Sequence, residues 1–241
     1  MIFPFSKFFS RKSLTDDLSA GMIDGHCHIL PGVDDGVKTI EESLSILGEY
    51  EALGFSEIWL TPHVMEDIPN TAAKLTLVYD ELVRSYKGGI KLHLAAENMM
   101  DTMLSENIAD RNLLAIGDEA DKLLVETSYY DRPANFYDTL EEIMSLGLTP
   151  VLAHPERYNY MVEKDYTSLK QLGVLFQLNL FSLGGYYGQT AKKKAESLLG
   201  KRMYDFTGTD LHSIRQISLL SRVSVAKKHR DYLFEISHNQ L

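Results

Sequence analysis

Two histidines one residue apart, His26 and His28, sit in the stretch MIDGHCHILPGVDDG (22–36), and Asp35 follows in the turn behind them. Side chains alternate faces along an extended strand, so the two imidazoles share one side and Cys27 points to the other. Paired imidazoles beside a carboxylate are metal-binding chemistry, and the chain repeats the theme. His63 closes WLTPH, Glu97 closes LHLAAE, Glu126 closes LLVE, His154 closes VLAH, and Asp210 and His212 close FTGTDLH. Taken singly, a histidine at a strand end is more often a hydrogen-bonded polar residue than a ligand, and one His-x-His is a modest signal. Together these positions mean more. Carboxylates gathered at one end of a parallel α/β fold repel one another and rise in pKa unless cations neutralise them.

Imidazole and carboxylate ligands without thiolate suit Mn, Fe, Zn or Co and not a Cys-rich structural zinc site. Nine candidates (His26, His28, Asp35, His63, Glu97, Glu126, His154, Asp210, His212) are too many for one ion, whereas two or three ions fit, with Glu126 as the candidate bridge. Closely spaced metals acidify a shared water and clamp the attacking and leaving oxygens of a phosphoester in line. A cysteine mechanism is not expected. The cysteine phosphatases need an arginine six residues after the nucleophile, and residue 33 is Val. His93 lies four residues before Glu97, about 13 Å deeper along an extended strand, and is expected to be packed or hydrogen-bonded. His229 and His238 fall in the polar C-terminal region.

Seven apolar, strand-like runs must present these groups: residues 22–30, 57–61, 91–96, 122–127, 150–153, 174–180 and 203–208. Between the first two, Thr39 to Glu42 forms a capping box and Gly54 a C-cap, around Leu44, Leu47 and Leu53 at helical spacing. Residues 72–87 repeat the pattern behind Thr71 and stop at Gly88 and Gly89. Asn135 opens a helix that closes at Gly147, Asp165 one that closes at Gly173, and two more are expected over 189–202 and 213–230. Strands alternating with helices at this spacing give βα units and a parallel sheet, open or closed, with its functional face at the strand C-termini.

With 44% apolar residues, 241 residues can bury the core of one domain. We expect it to span 21–241 behind a flexible leader, 1–20. The net charge of −10 without an extended basic block argues against nucleic acid as the main partner. It leaves room for a phosphorylated substrate, because bound divalent cations reverse the local sign. One cysteine excludes an internal disulfide and fits a reducing compartment. The opening MIFPFSKFFSRKS is broken by Pro4, Ser6 and Lys7, so it lacks the apolar run of a secretory signal, and no membrane span follows. A leader is the plainer reading of it, and an interfacial arm with Phe anchors and Lys7, Arg11 and Lys12 the sharper one. Lys192 to Lys194 reads as a solvated helix face.

In order and spacing, HCHILPGVDDG, TPH, AAEN, VETS, AHPERY and GTDLHS resemble the bacterial PHP-type (polymerase and histidinol phosphatase) protein tyrosine phosphatases of capsule and exopolysaccharide operons, over about residues 22–230. The resemblance implies a distorted (β/α)7 TIM-like barrel and a trinuclear centre, most commonly manganese, on the nine positions above. It also implies two arginines, here Arg157 in AHPER and Arg215 at a shorter spacing than the family's. Where the family commonly has aromatics after Glu97, this chain has Asn98-Met99-Met100. The implied activity is hydrolysis of phosphotyrosine by direct in-line attack, with the arginines stabilising transition-state charge. Tyr129, Tyr130, Tyr186 and Tyr187 are candidates to wall the pocket. The implied partner is the Tyr-rich tail of a membrane polysaccharide-export kinase, met in the cytoplasm or at the inner face of the membrane. The alternatives are another phosphomonoesterase, such as a histidinol phosphatase, and a non-catalytic kinase-docking subunit.

Overall fold

The computed structural model describes residues 12–13, 19–239 and 241, so most of the expected leader lies outside the described residues. All seven expected strands form: β2 (Ile23–Cys27), β3 (Glu57–Leu60), β5 (Lys91–Leu94), β7 (Lys122–Glu126), β8 (Thr149–Leu152), β9 (Leu175–Asn179) and β10 (Phe206–Gly208), with β1 (Lys12–Ser13) before them. Two extra short strands, β4 (His63–Val64) and β6 (Glu97–Met99), continue the second and third units after breaks at 61–62 and 95–96. Pro62 has no N–H for the ladder, so the break falls where the chain must re-aim His63.

Every pairing among the βα units is parallel, in the orders β2-β3-β5 and β10-β9-β8-β7-β6-β4. The sheet curls into a barrel because its two ends meet. Cys27 bridges Leu211 in parallel, His28 N–H donates to the Leu211 carbonyl at 2.9 Å, and Asp210 N–H donates to the His26 carbonyl at 2.7 Å. Ile23, Trp59, Leu124, Val151 and Phe206 fill the interior, while a larger apolar layer lies between strands and helices.

The helices follow their caps. In α1 (Ile40–Leu53), Thr39 accepts from Glu42 N–H and Gly54 closes in the left-handed region, and Thr71 caps α2 (Ala72–Ser85) in the same way. Next come α3 (Thr102–Asp110), α4 (Phe136–Ser145), α5 (Glu163–Leu172), α6 (Leu180–Gly184), α7 (Gly188–Gly200), α8 (Ile214–Ile217) and α9 (Arg230–His238). Sequence periodicity does not show α3 or α6. Both are short and opened by side-chain caps, Asp101 to Leu104 N–H and Asn179 to Phe181 N–H. The single helix expected over 213–230 is broken. Val223 and Val225 bracket an extended segment, β11 (Ser224–Val225), which pairs antiparallel with β1. β-Branched residues favour that extended backbone over a helix.

One irregularity decides where the first two histidines point. On β2, Ile23 faces the barrel interior and Asp24 faces out to Tyr50. Strict alternation from Ile23 would turn His26 outward. Between Asp24 and Cys27, however, β2 advances three residues while β3 advances two, a bulge that inverts the phase. His26 and His28 therefore join the inward set, and Cys27 packs in the outer layer.

Candidate metal centre

Inward-facing positions of successive strands are apolar at the barrel bottom and polar at the top, as in Leu124 below Glu126 on β7, and Leu175 below Gln177 and Asn179 on β9. The polar ends meet in one basin. His26 Nε2 and His28 Nε2 lie 3.0 Å apart, 3.2 and 3.3 Å from Glu97 Oε2, and 3.7 and 3.3 Å from Asp210 Oδ1. His63 Nδ1 lies 3.1 Å from both Glu97 Oε2 and Glu126 Oε1. On the solvent side, Asp35 Oδ1 sits 3.5 Å from His63 Nε2 and 3.4 Å from His212 Nε2, with the His212 ring stacked on His28 at 4.0 Å. Three groups of mutually close ligand atoms result: His26, His28, Glu97 and Asp210; His63, Glu97 and Glu126; and His28, Asp35, His63 and His212. They share His28, His63 and Glu97. His154 joins from the side, its Nε2 2.9 Å from Glu97 Oε1 and 3.9 Å from Glu126 Oε2. All nine residues singled out by type and spacing thus come together.

The contacts look like ligands converging on cations more than like partners for one another. His63 Nδ1, His154 Nδ1 and Glu97 Oε2 are buried without a hydrogen bond of proper geometry, although Glu97 and Glu126 oxygens stand 3.1 Å from His63 Nδ1 and three imidazole nitrogens lie within 3.3 Å of Glu97 Oε2. Two Nε2 atoms facing each other at 3.0 Å form one hydrogen bond at most, whereas both can donate lone pairs to an ion. Backbone strain collects here as well. His154 (φ 33°) and Asp210 (φ 54°) occupy the left-handed region, which costs about 1–3 kcal/mol for a non-glycine residue and clusters at functional sites.

Without a cation, protons balance the basin. Burial works against charge on Glu97, but the His26 charge and hydrogen bonding from His154 hold its carboxyl well below the carboxylate range. Burial likewise opposes charge on Asp210, which His28, His26 and Arg157 hold low. Burial and the His28 charge push His63 down, yet Glu126 and Glu97 outweigh them and raise it to about 10. His28 also rises, against burial, through Asp210, Asp34 and Glu97.

A second layer fixes these side chains and is mostly invisible in the sequence. Asp34, neighbour of the expected Asp35, points the other way: it takes His28 Nδ1 at 2.9 Å and the backbone N–H groups of Gly36 and His63. Gln177 Oε1 accepts from the His154 N–H and meets His26 Nδ1, each at 3.1 Å. Such partners set which imidazole nitrogen is free for a metal. Asp24, buried beneath His26, accepts from Tyr50, from the Thr209 hydroxyl and N–H, and from the His26 N–H, tying the first and last strands together. Gly208 allows this closure, since a Cβ there would stand 2.5 Å from His26 Cβ.

Arg157 flanks the basin. Its Nη1 pairs with Asp210 Oδ2, which also accepts from Asn179 and Tyr187, and its guanidinium lies 4.4 Å from the Tyr129 ring centre and 4.0 Å from that of Tyr187. These three residues, with Asn159, Thr190 and Ala191, line a pocket of about 200 Å³. Tyr129 and Tyr187 thus stand where a pocket wall was expected, whereas Tyr130 and Tyr186 are exposed. Burial pushes the Tyr129 and Tyr187 phenols up, so neither is a ready proton donor. Arg215 lies exposed on α8, and among the described residues no side-chain contact ties it to the basin. Cys27 is fully buried with Sγ 3.5 Å from the Trp59 carbonyl, and burial raises its thiol well above the ordinary value. His93 stacks on Trp59 and meets Glu57 at 2.9 Å, the packed role expected of it.

A barrel with a polar basin of histidines and carboxylates at its strand C-termini has the form of a metal-assisted hydrolase. Residues 22–232 match the family model described as capsular polysaccharide synthesis, CpsB/CapC, and the chain belongs to that family. Among its relatives, the putative tyrosine-protein phosphatase CapC of Staphylococcus aureus is 29% identical over 200 residues, covering 80% of this chain and 78% of that protein. The tyrosine-protein phosphatase YwqE of Bacillus subtilis is 29% identical over 201 residues, with the same coverage. A crystal structure from work on YwqE and on CpsB of Streptococcus pneumoniae, described as unique metal-dependent tyrosine phosphatases, superposes with a TM-score of 0.75 at 24% identity, over 89% of this chain and 86% of the other.

Proposed function

We propose that this chain is a metal-dependent, cysteine-independent protein tyrosine phosphatase. One observation carries the proposal. Nine metal-competent side chains converge beside an arginine held between two tyrosine rings at the mouth of an open pocket. Family membership supports it, as do relatives named tyrosine-protein phosphatases. His26, His28, Asp35, His63, Glu97, Glu126, His154, Asp210 and His212 would hold two or three divalent ions, with manganese our choice among Mn, Fe, Co and Zn. When bound, the ions supply the Lewis acidity that phosphoester hydrolysis needs at neutral pH.

The chain's own groups do the rest. Arg157 offers a permanent cation to the phosphoryl oxygens: burial works against its charge, but the Asp210 carboxylate outweighs it, and the Tyr129 and Tyr187 rings hold the guanidinium in place. Tyr129 and Tyr187 present aromatic edges to a phosphotyrosine ring. No strong acid is required, because tyrosinate leaves with a conjugate-acid pKa of about 10. Arg215 is assigned a lesser part, at the rim. The substrate we propose is the tyrosine-rich tail of a membrane polysaccharide-export kinase, met in the cytoplasm at the inner face of the membrane. Among the described residues, no helix is long and apolar enough to cross a membrane.

Rates on a phosphotyrosine peptide and on histidinol phosphate test the substrate class, and preference for histidinol phosphate would overturn it. Fewer than two equivalents of transition metal, with no turnover after manganese or iron is supplied, would make the chain a docking subunit. Arg157→Lys keeps the charge but loses the planar fork and its stacking, so kcat should fall about 10²-fold at unchanged metal content. An unchanged kcat would remove Arg157 from the chemistry. Cys27→Ser should leave turnover largely intact, and loss of all activity in folded protein would point to a thiol mechanism.

A further inference from the structure

Asn179 closes β9 without exposed surface, and in the sheet register it stands opposite Gly208, two residues before Asp210. Both polar atoms of its side chain are engaged. Oδ1 accepts from the Phe181 N–H at 2.9 Å and opens α6, which fixes the orientation of the amide and turns Nδ2 the other way. Nδ2 donates to Asp210 Oδ2 at 3.1 Å and to the Tyr187 hydroxyl oxygen at 3.3 Å. The Tyr187 hydroxyl in turn donates to the same Asp210 Oδ2 at 3.2 Å. Amide, phenol and carboxylate thus close a triangle.

Arg157 rests on two corners of that triangle. Its one ion pair among the described residues is with Asp210, through the same Oδ2, and the Tyr187 ring covers its guanidinium at 4.0 Å. Asp210 Oδ1 faces the other way, 3.7 and 3.3 Å from Nε2 of His26 and His28. The carboxylate therefore divides its work, one oxygen for the basin and one for the arginine. The backbone secures the same joint. Glu156 Oε1 accepts from the Asn179 N–H at 3.1 Å and Oε2 from the Tyr204 hydroxyl at 3.0 Å, so the turn Pro155–Arg157 is docked on the end of β9.

We propose that Asn179 is a positioning residue for Arg157: by holding Asp210 Oδ2 and the Tyr187 hydroxyl together, it fixes the guanidinium between its ring and its counter-ion, aimed at the phosphoryl group. The aim at a phosphoryl group rests on the phosphatase assignment; the hold on the guanidinium does not. A neutral amide suits the place. Aspartate would set an oxygen where Nδ2 stands, 3.1 Å from a carboxylate oxygen, and leucine would donate to neither partner. Misplacing a reacting group by about 1 Å can cost about 10²-fold in rate, so a residue that never touches substrate can govern kcat.

Asn179→Ser is the informative variant, because serine still caps α6 but does not reach Asp210 or Tyr187. With bound metal equal to the parent's, kcat on a soluble phosphotyrosine peptide should fall about tenfold. In an Arg157→Lys background the same substitution should cost less than about twofold, because the group it positions is already gone. The hold on Arg157 can also be read without turnover. In the metal-free parent, the Tyr129 and Tyr187 rings should shift the Arg157 Nε–H resonance, identified by its loss in Arg157→Lys, away from those of exposed arginines, and Asn179→Ser should return it toward them. Tyr187→Phe keeps the ring but cuts the bridge; it should move the resonance the same way by a smaller step, and it decides the matter if Asn179→Ser does not fold. An unmoved resonance, an unchanged kcat, or a full further loss on top of Arg157→Lys would overturn the proposal. So would a drop in metal content, which would make Asn179 a support of the basin alone. A parent without turnover whose resonance moves as stated would overturn the phosphatase assignment and leave the positioning role standing.

Discussion

Glu97→Gln should abolish hydrolysis in a protein that stays folded. Glu97 Oε2 lies within 3.3 Å of nitrogens on His26, His28 and His63, and Oε1 lies 2.9 Å from His154. Four imidazoles therefore gather around one carboxylate. The amide has nearly the same shape but lacks the charge, and its nitrogen cannot ligate a cation. It would also turn N–H donors toward His26, His28 and His63, whose pKa values are raised in the metal-free chain, a buried mismatch that costs about 1–3 kcal/mol for each unsatisfied group. We expect kcat to fall by at least about a thousandfold, the bound metal to drop by at least one equivalent of the parent's content, and the circular dichroism to match the parent. Retained turnover with full metal content would remove the basin from the reaction. The contrast with Arg157→Lys is diagnostic: one substitution removes metal from the basin, the other leaves it filled and slow.

The basin was legible in the sequence because the chemistry needs particular side chains at strand ends, and the βα repeat brings strand ends to one face. What could not be read is how each side chain is aimed. His26 and His28 face inward only because the β2 bulge inverts the alternation set by Ile23, and nothing in the letters IDGHC announces an extra residue in that strand. Asp34 and Asp35 are adjacent and chemically identical. Only the turn closed by Gly36, where a Cβ would fall 2.0 Å from the His28 carbonyl, sends Asp34 to His28 and Asp35 toward solvent. Gln177 and Asn179 did leave a signal, as polar residues at alternate positions of an otherwise apolar strand. Among the fold elements, residues 213–230 misled because their charges suit a helix surface, while the competing partner of Ser224–Val225 lies some two hundred residues away at Lys12–Ser13.

Metal affinity should climb steeply as pH rises, and the chelated protein should lose stability over the same range. His63 is held at about 10 in the folded metal-free chain against an ordinary 6.5, and His28 is raised as well. A raised histidine contributes stability that is fully present below its unfolded value and lost as pH passes up through its folded one. For His63 that window runs from about 6.5 to about 10, and the loss is on the order of a few kcal/mol. Glu97 and Asp210 act oppositely. Their depressed carboxyls stabilise above ordinary carboxylate values, and that contribution is lost as pH falls through their lowered folded ones. The chelated protein should therefore be most resistant to urea near pH 5–6 and weaken toward pH 9–10. Because a metal ligand must be a neutral imidazole, filling the basin near pH 7 must expel the protons that His63 and His28 hold. Each proton released makes affinity rise about tenfold per pH unit. Calorimetric titration of the chelated protein with manganese, in two buffers of different ionisation enthalpy, should report release of about one proton or more per chain. Binding without proton release would mean that the cation lies elsewhere than between these histidines.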